Sequence, residues 1–353
     1  MSKSVKFTSG QFFVAVHRLA RWFEHQRRIL PWRNDPSVYR VWVSEIMLQQ
    51  TQVVTVVPYF ERFMTHYPTL EALAAASEAD VLKLWAGLGY YSRARNLYRA
   101  AKMFVEKGFP KSRAEWLEVP GIGDYTAGAI LSIALDQPEP ILDGNVERVI
   151  SRVRRTSDRA RLRRLSSAFV ETSFRRGIRP SIANQALMEL GATVCSPRQP
   201  HCGKCPLFDI CHACAAGDAE QFPESKKRKE WVAIQEELHC IFGEDGRVLL
   251  REREPGEWRA GLWDLIEPGA LDKSRSAKTA LTPMGTVQTR HIVTRHKILR
   301  TTHVWKAEKK AIHLGVKSSR WVSIHTPEVA VGAALQRTLK RIREKFPEVS
   351  RLD

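Results

Sequence analysis

The stretch that decides the fold is Val119-Pro120-Gly121-Ile122-Gly123-Asp124-Tyr125-Thr126-Ala127-Gly128-Ala129. Its two glycines predict a tight turn, and the small and apolar residues that follow predict a closely packed helix up to Leu135. Backbone N–H groups at the start of such a helix, together with the helix dipole, suit a phosphate group. Taken alone, the pattern is more often a plain turn that begins a helix.

The charge of the chain favours a polyanionic partner. Its 353 residues contain 56 basic and 38 acidic side chains, which gives a net charge of +18. A merely soluble basic protein would share that excess, but seven arginines and one aspartate fall between Arg152 and Arg164. No apolar run reaches the roughly 18 residues of a membrane span, and the N-terminus lacks the apolar core of a signal peptide. These patterns predict a cytoplasmic protein, associated with the nucleoid if the source is bacterial.

Apolar spacing predicts a mostly helical first part of the chain, from about residue 10 to 195. Val16, Leu19 and Phe23 recur at three- and four-residue steps, which is typical of one buried helix face. The same periodicity predicts helical stretches over 41–54, 70–86 and 184–192.

The pattern changes after Glu224-Ser225-Lys226-Lys227-Arg228-Lys229-Glu230, a charged segment with no apolar residue that predicts a linker. Beyond it, Asp245-Gly246 between two apolar runs predicts a β-hairpin, and 296–304 predicts a further strand. A final helix is predicted from one apolar face: Val331, Leu335, Leu339 and Ile342. The chain is therefore predicted to be α+β, with an all-α domain over 1–223, a linker over 224–230 and a smaller α/β domain over 231–353.

Four cysteines fall within one short loop, 195–211, with six, two and five residues between them: Cys195, Cys202, Cys205 and Cys211. Crowded thiols in a chain without an export signal predict a metal centre rather than disulfides. Four thiolates can hold zinc or an iron–sulfur cluster. Cys214 and Cys240 fall outside this spacing and are expected to be ordinary thiols.

Two acidic residues are candidates for catalysis. The helical neighbours of Glu45 include Trp42 and Leu48, and partial desolvation beside them raises the pKa of a carboxyl toward that of a general acid. Asp143 precedes Gly144, which leaves room for a ligand, although an aspartate there can also simply cap a helix. A protonated carboxyl and an ionised one form a logical pair for cleaving a bond to a sugar. On a nucleotide this is N-glycosidic cleavage of a base turned out of the duplex.

At this point several strings resemble one family, the MutY-type adenine DNA glycosylases of the endonuclease III superfamily. The match runs from about Leu30 to Cys211, and its strings stand in the family's order: 30–33, 42–52, 87–97, 119–129, 142–146 and 184–192. The resemblance implies a helix-hairpin-helix domain in which Gly121 and Gly123 contact the DNA backbone. It also implies that the four cysteines of the 195–211 loop hold a [4Fe–4S] cluster rather than zinc.

The resemblance assigns roles to the residues at matching positions. Glu45 would protonate adenine at N7 and later assist the attacking water. Asp143, supported by Asn145, would stabilise the oxocarbenium ion or bond to it transiently. Glu189 would hydrogen-bond the extruded adenine, whose pocket would be lined by Trp32, Arg33 and Leu48. Two residues would wedge into the duplex near the opposite base: Gln50 and Tyr90.

Tyr125 separates two branches of the superfamily. Relatives that also cut the DNA backbone carry a lysine at this position, because an amine is needed to form a Schiff base. A phenol cannot form one, and a tyrosine that merely packs leads to the same expectation. The chain is therefore expected to be a monofunctional glycosylase that leaves an abasic site.

The C-terminal part resembles the Nudix-like module that recognises 8-oxoguanine opposite the adenine, with Trp258 to Leu265 as its tryptophan-rich region. The glutamate-rich box of Nudix hydrolases is missing, so nucleotide hydrolysis is not predicted. In the family a Phe-Ser-His loop probes the oxidised guanine, and here the nearest alignment is Thr294-Arg295-His296. Only the histidine is kept, and we expect His296 to retain the preference for 8-oxoguanine, with Arg295 as a second candidate donor.

The sequence thus predicts a base excision repair enzyme that removes adenine mispaired with 8-oxoguanine or guanine, acting as a monomer on double-stranded DNA. Three alternatives remain open. They are a thymine–guanine mismatch glycosylase, disfavoured by Glu45 and the C-terminal domain; an endonuclease III-like lyase, disfavoured by Tyr125; and a non-catalytic DNA damage-binding protein, disfavoured by the presence of Glu45 and Asp143.

Overall fold

The protein is described by a computed structural model that covers residues 9–224, 230–254, 256–271, 281–293, 295–307, 318–325 and 327–347. It divides into two compact units. The first unit comprises Met1–Ala74 and Arg99–Lys227, and the second comprises Ala75–Tyr98 and Arg228–Asp353. Residues 75–98 thus group with the C-terminal part, although the sequence analysis places them in the helical domain. The predicted linker lies almost entirely outside the described residues, so its bounds stay a prediction.

Helices make up most of the first unit. In chain order the helices of the molecule are α1 (Ser9–Gln26), α2 (Val38–Leu48), α3 (Val53–His66), α4 (Leu70–Ala75), α5 (Glu78–Trp85), α6 (Ser92–Lys107), α7 (Arg113–Leu117), α8 (Asp124–Leu135), α9 (Gly144–Arg154), α10 (Arg159–Arg175), α11 (Pro180–Thr193), α12 (His212–Ala215), α13 (Pro268–Leu271) and α14 (Ala333–Lys345). Apolar residues of α1, α9, α10 and α11 form one buried core, in which Leu19 and Phe23 of α1 are fully enclosed. Among the described residues, no helix has both the length and the apolar character needed to cross a membrane.

The predicted hairpin of two helices is present. It consists of α7 and α8, joined by a turn in which Gly121 has a φ of 85°, a conformation that favours glycine. Gly123 stands at the N-cap of α8 without a side chain to cap it. No side chain at the N-cap position therefore accepts a hydrogen bond from the first N–H groups of α8. Gln49, just after α2, donates to the Gly121 carbonyl at 3.2 Å, so α2 and the turn are tied together.

The helix predicted over 41–54 is wrong in its length. The α2 helix ends at Leu48 and α3 begins at Val53, because Gln50 adopts a left-handed conformation with a φ of 56°. Apolar periodicity continues across this break and gave no sign of it. The stretch over 70–86 is likewise divided between α4 and α5, where the Ser77 side chain caps α5 by accepting from the Asp80 N–H.

The second unit contains a mixed sheet. Its strands are β1 (Val232–Phe242), β2 (Val248–Glu252), β3 (Trp263–Asp264), β4 (Leu281–Val293), β5 (His296–Ala307) and β6 (Ser319–Val322), in the order β3-β2-β1-β5-β4 with β6 also paired to β2. The β1 and β5 strands run parallel and the other neighbours are antiparallel. Leu335, Leu339 and Ile342 of α14 lie in its apolar core, as predicted. Helical first unit and mixed second unit together confirm the predicted α+β class.

Arginine–carboxylate pairs are buried beside this sheet. The Arg300 guanidinium is fully buried and donates through Nη1 and Nη2 to Asp264, both at 2.9 Å, and through Nε to Glu236 at 2.7 Å. Arg259 also donates to Asp264, at 2.8 Å. Burial alone would raise the pKa of Asp264, but the two guanidiniums outweigh it and hold that pKa below its ordinary value. The Asp264 carboxylate is therefore ionised and structural.

Candidate active site

Glu45 lies on the face of α2 that packs against α8, and only 3% of its surface is exposed. Tyr125, near the start of α8, donates its hydroxyl proton to Glu45 Oε2 at 2.7 Å. Burial raises the pKa of Glu45 to about 7, against a smaller lowering by the Tyr125 hydrogen bond, and the nearby Asp143 raises it further. The predicted desolvation of this carboxyl is thus found, and near neutral pH a large fraction of it is protonated.

Asp143 caps α9 and faces the same cavity as Glu45. Its Oδ1 accepts from the Val146 N–H at 2.7 Å, and its Oδ2 accepts from Asn145 Nδ2 at 2.9 Å. Burial raises the pKa of Asp143, although these hydrogen bonds favour the charged form. The residue is therefore both a helix cap and a part of the site, two interpretations that the sequence had set against each other.

A glycine contact brings α9 beside α11. A Cβ atom on Gly191 would lie 2.6 Å from the Cβ of Asn145, so only glycine permits this approach. Arg148 then bridges the two helices, donating through Nη2 to Asn145 Oδ1 at 2.8 Å and to the Gly191 carbonyl at 2.6 Å. These contacts orient Asn145 with its amide nitrogen toward Asp143. The sequence analysis missed Arg148, which carried no motif signal apart from its place one turn after the Asp-Gly-Asn string.

A cavity of about 370 Å³ opens between these helices in the first unit. It brings together eight of the residues that the sequence singled out: Trp32, Arg33, Glu45, Leu48, Tyr125, Asp143, Asn145 and Glu189. Trp32 is buried, with its ring edge-on to Phe60 at 5.4 Å between centroids. Leu48 lies at the end of α2, beside the break at Gln50. The cavity therefore brings both carboxyls together with the residues that were predicted to line the base pocket.

Glu189 is fully buried on α11 and is held by two arginines. Arg28 donates to it from its backbone N–H and from Nε and Nη2, at 3.1, 2.7 and 3.0 Å, and Arg33 Nη2 donates at 2.8 Å. Burial raises the pKa of Glu189, but Arg28 and Arg33 outweigh it, and the net pKa is below the ordinary value. Glu189 is thus a carboxylate, which can only accept hydrogen bonds. Sequence reasoning missed Arg28, which precedes the matched string 30–33.

The two predicted wedge residues are placed in different units. Gln50 is exposed in the turn between α2 and α3, with a φ of 56°, and Tyr90 of the second unit is 38% exposed with a φ of 50°. Left-handed backbone is uncommon for residues other than glycine and accompanies functional positions. Both side chains are therefore presented outward by strained turns rather than packed into a core.

The four cysteines of the 195–211 loop line one small cavity together with Cys214. The Cys195 sulfur accepts from Arg152 Nη1 at 3.3 Å, and the Cys205 sulfur accepts from the Leu207 N–H at 3.4 Å. Donors of this kind suit thiolates. Within the described part of the chain, no three His, Cys, Asp or Glu side chains are grouped as ligands of a single metal ion. The four thiols of the loop thus line one cavity, and four thiolates can hold either zinc or an iron–sulfur cluster.

Some of the arginines clustered between Arg152 and Arg164 bind other groups of the protein itself. Arg152 is buried and donates to the backbone carbonyls of Ser196, Pro197 and Phe222 at 2.7, 2.9 and 2.9 Å. Arg155 pairs with Asp218 at 2.6 Å. Part of the positive charge between Arg152 and Arg164 therefore holds the cysteine loop.

His296 begins β5 in the second unit and pairs with Val293 across the turn from β4. Its ring lies edge-on to Trp258, with 6.1 Å between centroids. Arg295 is exposed in that turn, whereas Thr294 lies outside the described residues. The expected probe loop therefore corresponds to the tip of the β4–β5 hairpin.

Comparison with known proteins identifies relatives of this chain. The family model of HhH-GPD superfamily base excision DNA repair proteins matches residues 43–173, which include Glu45, Tyr125 and Asp143. The chain is 36% identical over 261 residues to an adenine DNA glycosylase of Buchnera aphidicola subsp. Baizongia pistaciae (strain Bp), with 71% of each chain covered.

It is also 46% identical over 214 residues to the adenine DNA glycosylase of Mus musculus, where the match covers 55% of this chain and 41% of the relative. The matched part therefore spans about two fifths of the length of that mammalian relative. Among solved structures, a thermostable thymine-DNA glycosylase superposes with a TM-score of 0.52 at 25% identity, covering 59% of this chain and 98% of the other.

Proposed function

The chain belongs to the adenine DNA glycosylase family of the HhH-GPD superfamily, and on that premise we propose that it hydrolyses the N-glycosidic bond of adenine in double-stranded DNA. The observation that carries the proposal is the buried Glu45–Tyr125 pair beside Asp143 in one cavity. A carboxyl with a pKa of about 7 supplies a proton at neutral pH, and a second carboxyl lies close by. Such a pair suits cleavage of a bond between a base and a sugar.

Glu45 acts as the general acid in this proposal. Its protonated form donates to N7 of the extruded adenine, which makes the base a better leaving group. Once deprotonated, the same carboxylate accepts a proton from the attacking water. Tyr125 holds the carboxyl in place, and because burial keeps the pKa of the phenol well above its usual value, Tyr125 stays protonated throughout.

Asp143 supplies the negative charge that stabilises the oxocarbenium ion of the sugar, or bonds to it transiently. The hydrogen bonds from Val146 and Asn145 fix the direction of its two oxygens. Since Tyr125 occupies the position where a lyase needs an amine, the product is an abasic site on an intact strand.

Glu189 selects the base by its charge. An ionised carboxylate accepts hydrogen bonds and offers none, so it favours the exocyclic amine of adenine over a carbonyl at the same place. Arg28 and Arg33 keep it ionised, because they lower its pKa despite its burial. Arg28 and Arg33 already donate two hydrogen bonds to each oxygen of Glu189. One of these contacts must therefore rearrange before the adenine amine can donate to Glu189.

The base opposite the adenine is proposed to be 8-oxoguanine or guanine. Gln50 and Tyr90, on their outward-facing turns, are the residues proposed to enter the duplex, and His296 at the β4–β5 hairpin is proposed to favour 8-oxoguanine. Gly121 and Gly123 are proposed to contact a phosphate at the start of α8. We further propose that the protein acts as a monomer.

A [4Fe–4S] cluster is proposed to bind at Cys195, Cys202, Cys205 and Cys211. When bound, it would join the four thiolates and hold the 195–211 loop in shape. The donor set fits, since four thiols line one cavity and two of them already accept hydrogen bonds from Arg152 and Leu207. Catalysis is assigned to carboxyls elsewhere in the unit, so the cluster has a structural role in this proposal.

The deciding experiment is a single-turnover assay on three duplexes that carry A opposite 8-oxoguanine, A opposite guanine, or T opposite guanine. Strands are compared with and without alkali. We expect adenine release from the first two duplexes, with strand breaks only after alkali. Release of thymine alone would assign the chain to the activity named for the thymine-DNA glycosylase it resembles in structure, and breaks without alkali would identify a lyase.

The cluster has its own test, which does not depend on activity. We expect Cys205→Ser to lose bound iron, while Cys214→Ser keeps the iron content and visible absorption of the parent protein. Iron lost from Cys214→Ser but kept by Cys205→Ser would show that the ligand set is assigned wrongly. Zinc in place of iron in the purified protein would contradict the cluster itself.

A further inference from the structure

Cys214 lies beside the proposed cluster ligands, although its place in the sequence falls outside their spacing. The small cavity that it lines is also lined by the four ligands: Cys195, Cys202, Cys205 and Cys211. A [4Fe–4S] cluster is held by four cysteine thiolates. The cavity therefore presents one thiol more than the proposed cluster uses, and the expectation of an ordinary thiol at Cys214 leaves its position unexplained.

The position of Cys214 is set by α12, the single helical turn that begins directly after Cys211. Residues three apart in a helical turn are neighbours, so Cys214 returns beside Cys211, and the two thiols interact electrostatically. The Cys214 thiol is also close enough to the Cys202 thiol to form a hydrogen bond with it. Cys214 is therefore adjacent to two of the four ligands, and it is only half-buried.

The four proposed ligands differ in how firmly the fold holds them. Cys195 and Cys205 pack against the apolar core that α1, α9, α10 and α11 form. The Cys205 sulfur also accepts from the Leu207 N–H at 3.4 Å. Cys202 begins a short 3₁₀ turn, Cys202–Lys204, in which no residue is buried. A substitute for Cys202 therefore need not fit into the core, whereas a substitute for Cys205 would have to.

We propose that Cys214 is an alternative ligand of the cluster, which binds iron when Cys202 is removed or chemically blocked. The inference rests on the proposed [4Fe–4S] cluster. A thiolate is the form of cysteine that binds a metal. In the exchange the S–H bond of Cys214 breaks, its proton passes to solvent, and its sulfur bonds to the iron that Cys202 no longer holds. Nothing is oxidised or reduced, and the site keeps four thiolates after damage to one of them.

The test measures bound iron and visible absorption in alanine variants of the full chain after incubation with the chelator EDTA. We expect Cys214→Ala and Cys202→Ala each to keep most of the parental iron, because four thiols remain around the cavity in either variant. The double variant Cys202→Ala/Cys214→Ala keeps only three. Its bound iron should fall by about tenfold or more, since even the loss of an outer-shell partner costs a metal site that much.

Two variants control for the position and for the number of thiols. Cys205→Ala should lose iron although Cys214 is present, because Cys214 does not lie against the core where Cys205 is held. Cys202→Ala/Cys240→Ala should keep as much iron as Cys202→Ala, because Cys240 is buried in β1 of the second unit. Circular dichroism checks that each variant is folded. If Cys202→Ala does not fold, Cys202→Ser and its double variant with Cys214→Ala replace it.

Alkylation by iodoacetamide gives a readout that does not depend on the amount of iron. The reagent attacks thiolates, and a sulfur that is bonded to iron is protected from it. In the parent protein Cys214 should be alkylated, while the four ligands are protected. In Cys202→Ala we expect Cys214 to be protected as long as iron is bound and to react once the iron has been removed. Mass spectrometry of the peptides locates the modified residues.

Each outcome decides the inference. Iron that is kept by Cys202→Ala and lost from its double variant with Cys214→Ala, together with protection of Cys214 only when Cys202 is missing, confirms it. Equal loss of iron from folded Cys202→Ala and Cys205→Ala overturns it, and so does equal retention with and without Cys214. A parent protein that contains no iron contradicts the proposed cluster itself, which distinguishes that failure from a failure of the alternative ligand.

Discussion

Buried carboxyls occur in both units, and their partners differ. Glu45 in the first unit shares its burial with a phenol, and its pKa rises to about 7. Asp264 in the second unit is buried to the same degree, but two guanidiniums hold its pKa below the ordinary value. Burial alone therefore does not decide whether a carboxyl is reactive; the presence or absence of a paired cation does.

Glu189 shows both conditions within one cavity. It lies in the same cavity as Glu45 but is paired with Arg28 and Arg33, and it is ionised in consequence. Two glutamates that line the same cavity thus have pKa values shifted in opposite directions, which suits Glu45 to donate a proton and Glu189 to recognise an amine. The comparison can be tested on both kinds of carboxyl, by replacing the unpaired Glu45 or by removing the cation from a paired carboxylate.

The largest effect is expected from Glu45→Gln. The amide keeps the size of the side chain and can still accept from Tyr125, but it cannot donate a proton as an acid does. Single-turnover release of adenine should fall by about 10³-fold or more, within the usual range for general acid–base catalysis. Glu61→Gln, on α3, should release adenine at the parental rate. A Glu45→Gln protein that loses less than about tenfold would remove Glu45 from the acid role.

Removing a cation from the second unit should cost stability instead. Arg300→Met removes the three hydrogen bonds that Arg300 donates to Asp264 and Glu236 in a buried site and leaves both carboxylates to Arg259. We expect a loss of about 3 kcal/mol in the free energy of unfolding. Arg341→Met breaks only the exposed Arg341–Glu344 pair at 3.3 Å and should change little. Urea unfolding monitors both variants. Equal small losses would mean that the buried network contributes no more than a surface pair.

The two kinds of carboxyl also predict opposite dependences of stability on pH. Glu45 has a folded pKa of about 7 against 4.5 when free, so its contribution is complete below pH 4.5 and is lost as the pH rises toward 7. At about 1.4 kcal/mol for each pKa unit, the penalty at pH 8 is about 3 kcal/mol. Asp264, with a lowered pKa, contributes at neutral pH and loses that contribution in acid.

Glu45→Gln removes the destabilisation that the ionised Glu45 carboxyl causes at high pH. We expect the variant to gain stability over the parent protein by about 2 to 3 kcal/mol more at pH 8 than at pH 5, measured by urea unfolding at both values. The catalytic carboxyl would thereby be shown to weaken the fold that holds it. A difference that does not change with pH would contradict the raised pKa of Glu45.

The sequence predicted the burial of Glu45 and the position of Asp143, but not the hydrogen bonds and ion pairs that link distant parts of the chain. Trp42 and Leu48 beside Glu45 were enough to predict desolvation, and the Asp-Gly string marked Asp143. The hydrogen bond from Tyr125 to Glu45 joins two residues that are 80 positions apart in the sequence, and no local pattern predicts such a pair. Arg28 and Arg148 were missed for the same reason, and Arg152 was counted only for its charge, since an arginine looks alike in sequence whether it meets a phosphate or a buried carbonyl.

Turns and breaks were the least predictable part of the fold. The end of α2 depends on the left-handed conformation of Gln50, which apolar periodicity cannot reveal. The strands β1 and β2 were located by Asp245-Gly246 and the apolar runs beside it, but the parallel pairing of β1 with β5 requires contacts across sixty residues.

The smallest effect, and the sharpest test of the comparison, is expected from Tyr125→Phe. The Tyr125 hydrogen bond favours the charged form of Glu45, so its loss should raise the pKa of Glu45 further. Because the proposed acid must be protonated, adenine release should decline above about pH 7 in the parent protein. In Tyr125→Phe that decline should move to higher pH by about one unit, since a hydrogen bond to a charged group contributes about 1.5 kcal/mol and one pKa unit corresponds to about 1.4 kcal/mol.

Tyr39→Phe provides the matched control. It removes another buried hydroxyl donor, which bonds the Tyr67 carbonyl at 2.7 Å, and should cost similar stability without moving the pH profile. An alkaline limb that stays in place in Tyr125→Phe, or moves to lower pH, would show that the phenol does not tune the acid. If the limb moves as expected, the neutral Tyr125 donor lowers the pKa of Glu45 but leaves it near 7, so that the carboxyl can still hold a proton. The arginines around Asp264 and Glu189 instead hold the pKa of those carboxyls below its ordinary value.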